Sequence, residues 1–211
     1  QAQQLIEKRE RQTRARRWET QEDEAAYAAT QLDRSIVAPD QIRTVIQTFR
    51  DQWPAIFPGR KELPKTLIVA KTDSHADDII QMVRTEFGER NDFCRKITYN
   101  TEDPKRTLAR FRNDYYPRIA VTVDMIATGT DVRPLEILLF MRDVKSRNYF
   151  EQMKGRGTRV INFDDLKKAS PCARVTKDHF VIVDAIGVTR SLKTDSRPLE
   201  RKPGVPLKDL L

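Results

Sequence analysis

The sequence predicts an α/β fold, with a mostly parallel sheet that helices cover on both faces. Two observations support this prediction. From residue 65 onward, short runs rich in β-branched residues alternate with segments of helical periodicity. These runs are almost continuously apolar, which is typical of strands that are buried on both faces. The chain has 211 residues, enough to bury a substantial core.

The predicted elements begin after residue 35. Asp40 is expected to cap a first helix, along which apolar residues recur at the spacing of one helix face. Residues 53–64 contain three prolines and are predicted to form a loop. The later elements are predicted in this order: strand 66–70, helix 74–87 with Ser74 as its N-cap, strand 95–99, helix 103–113, strand 119–123, strand 136–141, helix 146–155 and strand 180–183.

The two ends of the chain differ in composition from this middle part. Residues 1–35 contain a strongly basic run at residues 8–17. This segment is predicted to be a basic arm, folded as a hairpin or as a helix, or a linker from a preceding lobe, because its apolar positions are too few to decide. The lobe itself is expected to span residues 36–190. Residues 191–211, rich in Pro, Lys and Arg, are expected to form an irregular tail leading to a further C-terminal region.

Composition and charge narrow the class of function. The formal net charge of +8 favours a polyanionic partner, and nucleic acid is the first expectation. No apolar run approaches the roughly 20 residues that a membrane helix needs, and no signal peptide opens the chain. With two cysteines, two histidines and no C-x-x-C pair, neither a disulfide scaffold nor a metal site is expected. A reducing cytoplasm is the expected compartment.

Residues 152–159 read Q-x-x-G-R-x-x-R at the end of a predicted helix. Arg156 and Arg159 are three residues apart, so on a helix they project from nearly the same face. Arginine offers phosphate oxygens a planar fork with a permanent charge. Gly155 would let a backbone or a phosphate approach closely. Taken alone, this stretch is explained equally well as a solvated basic helix end.

A second signal lies upstream, at residues 119–131. A β-branched strand ends there in a polar loop that contains Gly129 and Asp131. At the carboxyl edge of an open parallel sheet, such a loop can present backbone N–H groups to a phosphate. An ordinary turn after a strand is the alternative interpretation. The presence of both stretches, in this order, favours phosphate chemistry.

The order of these stretches resembles the second RecA-like lobe, or C-terminal lobe, of superfamily 2 helicases and translocases. Residues 67–74 resemble motif IV of that family, residues 121–131 resemble motif V and residues 149–159 resemble motif VI. The resemblance implies a RecA-like sheet with helices on both faces. It also implies ATP and Mg²⁺ as cofactors, bound mainly by the first lobe.

A closer resemblance covers almost the whole chain. Residues 32–45, 150–159 and 194–203 are similar to the R (motor/endonuclease) subunit of type I restriction enzymes. The resemblance implies a prokaryotic complex that translocates double-stranded DNA with ATP and cuts it remotely. The implied partners are double-stranded DNA, a preceding RecA-like lobe and a nuclease domain of the same parent chain, and the modification and specificity subunits.

The resemblance also assigns roles to individual residues. Arg159 is the candidate arginine finger on the γ-phosphate of ATP, and Arg156 is a candidate for a nearby phosphate or inter-lobe contact. The candidate nucleotide-binding residues are Gly129, Asp131, Gln152 and Gly155. The candidate DNA-backbone contacts are Lys71, Thr72, Asn100, Thr101, Thr122 and Thr128. The last two enter because Val123 stands where many family members have Thr, so another hydroxyl would have to serve.

Two further patterns limit the chemistry expected of the chain. It has no G-x-x-x-x-G-K-[ST] sequence, so the chain alone is not expected to turn over ATP. Asp40, Glu62 and Lys65 superficially suggest a P-D…E-x-K nuclease site, but the final spacing is one residue too long, and this interpretation is rejected.

The alternative functions are a lobe of another superfamily 2 helicase, acting on RNA or DNA, and a non-catalytic nucleic-acid-binding module.

Overall fold

A computed structural model describes residues 5–10, 16–20, 36–123, 131–191 and 193, with side-chain surroundings from residue 38 onward. In the N-terminal part, strands β1 (Leu5–Glu10) and β2 (Arg16–Thr20) pair antiparallel. Strand β3 (Ile36–Val37) adds to the other side of β1. Of the conformations considered for the basic arm, the antiparallel pairing of β1 and β2 agrees with a hairpin. The segment joining β1 to β2 lies outside the described residues.

The main sheet contains five strands, all parallel, in the order β5–β6–β4–β7–β8. The three central strands are buried along their whole length, as their continuous apolar runs predicted. The predicted α/β class is therefore confirmed. The bounds of the strands are β4 Lys65–Val69, β5 Cys94–Lys96, β6 Ile119–Thr122, β7 Leu135–Phe140 and β8 Val181–Asp184.

Helices cover both faces of this sheet. They are α1 (Pro39–Ile56), α2 (Asp73–Phe87), α3 (Pro104–Asn113), α4 (Arg147–Gly157) and α5 (Phe163–Ala169). Helices α1 and α2 pack on one face, and their buried side chains include Ile42, Ile46, Ile79 and Val83. Helices α3 and α4 pack on the other face, with Leu108, Phe111 and Met153 buried there.

Two predicted helix caps are wrong. Helix α1 begins with Ala38 as its N-cap and has no side-chain cap, so Asp40 lies inside the first turn. Pro39 provides the start instead, because its φ angle suits the first helical position and its missing N–H is not needed there. Helix α2 is capped by Thr72, not Ser74, since the Thr72 hydroxyl accepts a hydrogen bond of 3.2 Å from the backbone N–H of His75.

The bounds of several elements also differ from the prediction. Helix α1 continues through Pro54 to Ile56, so the predicted loop begins only at Phe57. Strand β5 ends at Lys96, because Thr98 and Thr101 form a turn in which the Thr98 N–H donates to the Thr101 hydroxyl. Helix α5 was not predicted, since seven residues are too few to show a periodic pattern.

Within the described ranges, no helix is long and apolar enough to cross a membrane. The same ranges contain no group of three or more His, Cys, Asp or Glu side chains that could hold a metal ion.

Candidate functional site

The candidate residues fall at two opposite edges of the sheet. Because all five strands are parallel, the segments that precede them meet at one edge, here called the amino edge. The segments that follow the strands meet at the carboxyl edge. Asp131 precedes β7 and lies at the amino edge, and Arg159 lies beside it. Lys71 and Thr72 follow β4, and Asn100 follows β5, so these three lie at the carboxyl edge.

Arg159 lies two residues beyond α4 and is exposed. Its Nε atom is 3.8 Å from Oδ1 of Asp131, and the two side chains are 65% and 39% exposed. The other Asp131 oxygen accepts a hydrogen bond of 2.9 Å from Nε of Arg133. An exposed pair at this distance is worth little, roughly 0–1 kcal/mol. The Arg159 guanidinium can therefore turn toward an incoming anion at small cost.

Arg156 is half-buried at the end of α4. Burial lowers its pKa, while Tyr149 acts in the opposite direction. Arg159 lowers the pKa further and Asp131 raises it, so all three groups lie within electrostatic range of one another. Sequence reasoning placed Arg156, Arg159 and Asp131 at one site, and they are close together in the structure. The two guanidinium groups concentrate positive charge at the amino edge.

The two glycines of this stretch differ in their surroundings. A Cβ added at Gly155 would have no heavy atom of the described residues within 4 Å. At Gly157 the added Cβ would lie 2.6 Å from Cγ and Cε2 of Phe180 and closer still to Cδ2. The close approach within the described chain therefore occurs at Gly157, where α4 lies against the entry to β8. Gly155 is half-buried.

Lys177, which the sequence analysis did not single out, joins the two segments of the amino edge. Its Nζ donates hydrogen bonds to the backbone carbonyls of Arg133, at 3.1 Å, and of Arg159, at 2.9 Å. Burial lowers the pKa of Lys177 to about 8, against the opposing effects of Glu136 and Asp131. No local pattern could have revealed this residue, because its partners are 44 and 18 positions away.

A cavity of about 450 Å³ opens beside Asp131 at the same edge. Its charged walls are Asp131, Arg133, Arg112 from the end of α3, and Asp165 and Lys168 from α5. Three cations and two carboxylates line the cavity. Two of these cations are paired with the carboxylates, Arg133 with Asp131 at 2.9 Å and Lys168 with Asp165 at 2.7 Å.

At the carboxyl edge, the hydroxyl groups of two predicted DNA-contact residues take part in hydrogen bonds within the chain. The Thr72 hydroxyl caps α2, and the Thr101 hydroxyl accepts from the N–H of Thr98 at 3.1 Å. Lys71 is half-buried, and its backbone N–H donates to Nδ1 of His75 at 3.3 Å. Asn100 is exposed. Of these four residues, Asn100 has the side chain most accessible to a phosphate backbone.

Four further residues were predicted to take part in binding nucleotide or DNA. Thr122 is fully buried at the end of β6, so a DNA contact by its side chain does not fit the structure. Gln152 is exposed on α4. Thr128 and Gly129 lie outside the described residues.

The rejected nuclease interpretation remains without support. Asp40 is exposed on α1 and pairs with Arg43 at 3.3 Å. The Glu62 carboxylate accepts from the N–H of Cys172 at 2.8 Å. Lys65 is fully buried, and its ammonium donates to three backbone carbonyl groups. These three side chains therefore serve local structure.

Comparison with known proteins agrees with the motif pattern. No protein-family model matches the chain. The chain is 29% identical, over 204 residues, to the endonuclease subunit of the type I restriction enzyme EcoKI of Escherichia coli (strain K12). The match covers 92% of this chain and 16% of that protein. It is 28% identical, over 144 residues, to the corresponding EcoAI subunit of Escherichia coli. That match covers 65% of this chain and 17% of the EcoAI subunit. The chain thus spans about one sixth of the length of these relatives.

Solved structures show the same fold. A fragment of an HsdR subunit of a type I restriction enzyme from Vibrio vulnificus YJ016 matches with a TM-score of 0.57 and 19% identity, over 74% of this chain and 32% of that one. The C-terminal part of the Fun30 ATPase domain matches with a TM-score of 0.50 and 11% identity, over 74% and 46% of the two chains. The resemblance to the R subunits of type I restriction enzymes is therefore confirmed, and the described body of the chain has the fold of a RecA-like helicase lobe.

Proposed function

We propose that this chain is the second motor lobe of an ATP-dependent double-stranded DNA translocase in a type I restriction-modification endonuclease. The observation that carries the proposal is the position of Arg159, exposed and loosely paired with Asp131 at the amino edge. An arginine that acts across a cleft on a nucleotide held by another lobe needs this exposure and this freedom. The similarity to R subunits supports the same function.

The residues at the amino edge fit ATP as half of a two-lobe site. Arg159 and Arg156 provide the permanent positive charge that phosphate oxygens require, and Asp131 offers a carboxylate that can accept from a ribose hydroxyl. ATP, bound mainly by the first lobe together with Mg²⁺, supplies the phosphoryl group whose transfer drives the motor. Arg159 would donate hydrogen bonds to the γ-phosphate oxygens and stabilise their charge as it spreads during the reaction.

Binding of DNA is assigned to the carboxyl edge. Lys71 and Asn100, on neighbouring loops, offer a cation and an amide to phosphate oxygens. Backbone N–H groups of these loops, near Thr72 and Thr101, can add further contacts. Contacts of this kind position a motor on the duplex without reading its sequence, and their affinity falls steeply with salt.

The same proposal includes the surroundings of the lobe. The preceding RecA-like lobe and a nuclease domain would belong to the parent chain, and modification and specificity subunits would complete the complex. The compartment would be the prokaryotic cytoplasm. The relatives named above are subunits of such enzymes, which supports these partners.

The test is the rate of DNA-stimulated ATP hydrolysis by the full-length parent protein, wild type against Arg159→Ala. An arginine finger is worth roughly 10³ to 10⁵ in rate, so we expect kcat to fall by about three orders of magnitude while the affinity for DNA is retained. Arg43→Ala is the matched control, because it removes an exposed arginine from the far side of α1. Turnover that survives the loss of Arg159 would leave a non-catalytic nucleic-acid-binding lobe as the better description.

A further inference from the structure

Lys177 holds together the two segments that carry the nucleotide-facing side chains. One segment precedes β7 and contains Asp131 and Arg133, and the other follows α4 and contains Arg159. The Lys177 ammonium donates to the Arg133 carbonyl at 3.1 Å and to the Arg159 carbonyl at 2.9 Å. Its second acceptor is therefore the backbone of the candidate arginine finger itself.

We infer that Lys177 is a positioning residue, which holds the backbone of Arg159 at the distance from β7 that phosphoryl transfer requires. The inference rests on the proposed function. The side-chain pairing of Arg159 with Asp131 is long, at 3.8 Å, and cannot by itself set the position of an exposed side chain. Two hydrogen bonds from one ammonium to both segments constrain the backbone without occupying the Arg159 guanidinium. The guanidinium thus stays available to a phosphate.

The protonation of Lys177 depends on its charged neighbours and on its burial. Glu136 faces it from β7, and Asp131 and Arg133 face it from the segment before β7. Arg159 contributes its carbonyl from the segment after α4. Burial of the ammonium outweighs the two carboxylates and lowers the pKa of Lys177 to about 8. As the pH rises through about 8, the charge is lost and the two hydrogen bonds lose their charge assistance, which roughly halves their strength.

The experiment is a double-mutant cycle in the full-length parent protein, measuring DNA-stimulated ATP hydrolysis. Lys177→Met keeps the aliphatic stem and removes both hydrogen bonds. Misplacement by about 1 Å can cost up to 10²-fold in rate, so we expect kcat to fall at least tenfold, with KM for ATP and Kd for DNA within twofold of wild type. In the Arg159→Ala background, Lys177→Met should produce no further loss.

Two variants serve as controls. Lys193→Met removes another lysine whose ammonium donates to a backbone carbonyl, that of Val188, but at the carboxyl edge. It should leave kcat unchanged. Lys177→Arg keeps a donor that does not lose its proton below pH 12. It should retain most of the activity and abolish the fall in kcat that we expect of wild type above pH 8.

Specific results would overturn the inference. If Lys177→Met lowers kcat as strongly in the Arg159→Ala background as in wild type, Lys177 does not act through Arg159. If Lys177→Met leaves kcat unchanged while Arg159→Ala strongly lowers it, the positioning role is also refuted, but the proposed function stays intact. A silent Arg159→Ala is a different result, because it removes the proposed function and the positioning role together.

Discussion

The two glycines of the motif VI stretch provide the sharpest structural test, because the same substitution should have opposite effects on stability at positions two residues apart. Both lie in the last turn of α4. Gly155 has open space where a Cβ would stand, whereas Gly157 has the ring of Phe180 there. Gly155→Ala and Gly157→Ala are therefore matched variants in composition, in helix and in size.

The magnitudes follow from these surroundings. At Gly155, alanine relieves the backbone entropy cost of glycine, so we expect a gain in the free energy of unfolding of roughly 0.5–1 kcal/mol. At Gly157 the same gain is present, but the new Cβ stands 2.6 Å from two ring atoms of Phe180, where contact normally begins at 3.4 Å. The ring must withdraw by about 1 Å, and overpacking of this kind costs typically 1–3 kcal/mol. The net expectation for Gly157→Ala is a loss of about 1–2 kcal/mol.

Urea denaturation of the 211-residue chain, followed by circular dichroism, measures both effects. We expect Gly155→Ala to raise the urea midpoint and Gly157→Ala to lower it, both at an unchanged m-value. Gly157→Ala in combination with Phe180→Ala should be no less stable than Phe180→Ala alone, because the ring that clashes is gone. If Gly157→Ala is as stable as wild type while Phe180 is present, the packing of α4 against the entry of β8 is not as described, and the argument fails.

Two other expectations concern stability and reactivity. Lys65→Met should lower the free energy of unfolding by about 2–4 kcal/mol in the same urea assay, because the buried Nζ of Lys65 donates to the carbonyls of Asp114, Tyr115 and Pro117 and a thioether cannot; an unchanged midpoint would contradict this. In the native chain a thiol reagent should modify Cys172 and spare Cys94, since burial raises the pKa of the Cys94 thiol and closes access to it. Equal labelling rates before unfolding would refute that expectation.

The sequence predicts the fold well where a local pattern and burial agree. Strands β4, β6 and β7 are rich in apolar residues, and they are found within one residue of their expected bounds, because burial on both faces favours this composition. Helix α5 escaped prediction, since it is short and is held by the cap at Asn162 and by packing of Leu166. The cap is a local signal, because Asn162 accepts from the backbone N–H of Asp165, three residues on, but the packing of Leu166 is not encoded locally.

The candidate site was predictable in its charged residues and not in what holds them. Arg156, Arg159 and Asp131 stand out by residue type and by motif spacing, and they meet at one edge. Lys177 and Phe180 could not be found in this way. Each gains its importance from a contact made only in the folded chain, with carbonyl groups in one case and with Gly157 in the other.

Helix α4 runs from the carboxyl edge of the sheet to the amino edge. Near its start, the Tyr149 hydroxyl donates to the carbonyl of Val123 at 3.2 Å, directly after β6 at the carboxyl edge. At its end, Gly157 rests on Phe180, and Arg159 follows at the amino edge. Eleven residues of helix span about 16 Å, and a packed helix of this length moves as one body. Under the proposed function, DNA that displaced Val123 would therefore also change the position of Arg159.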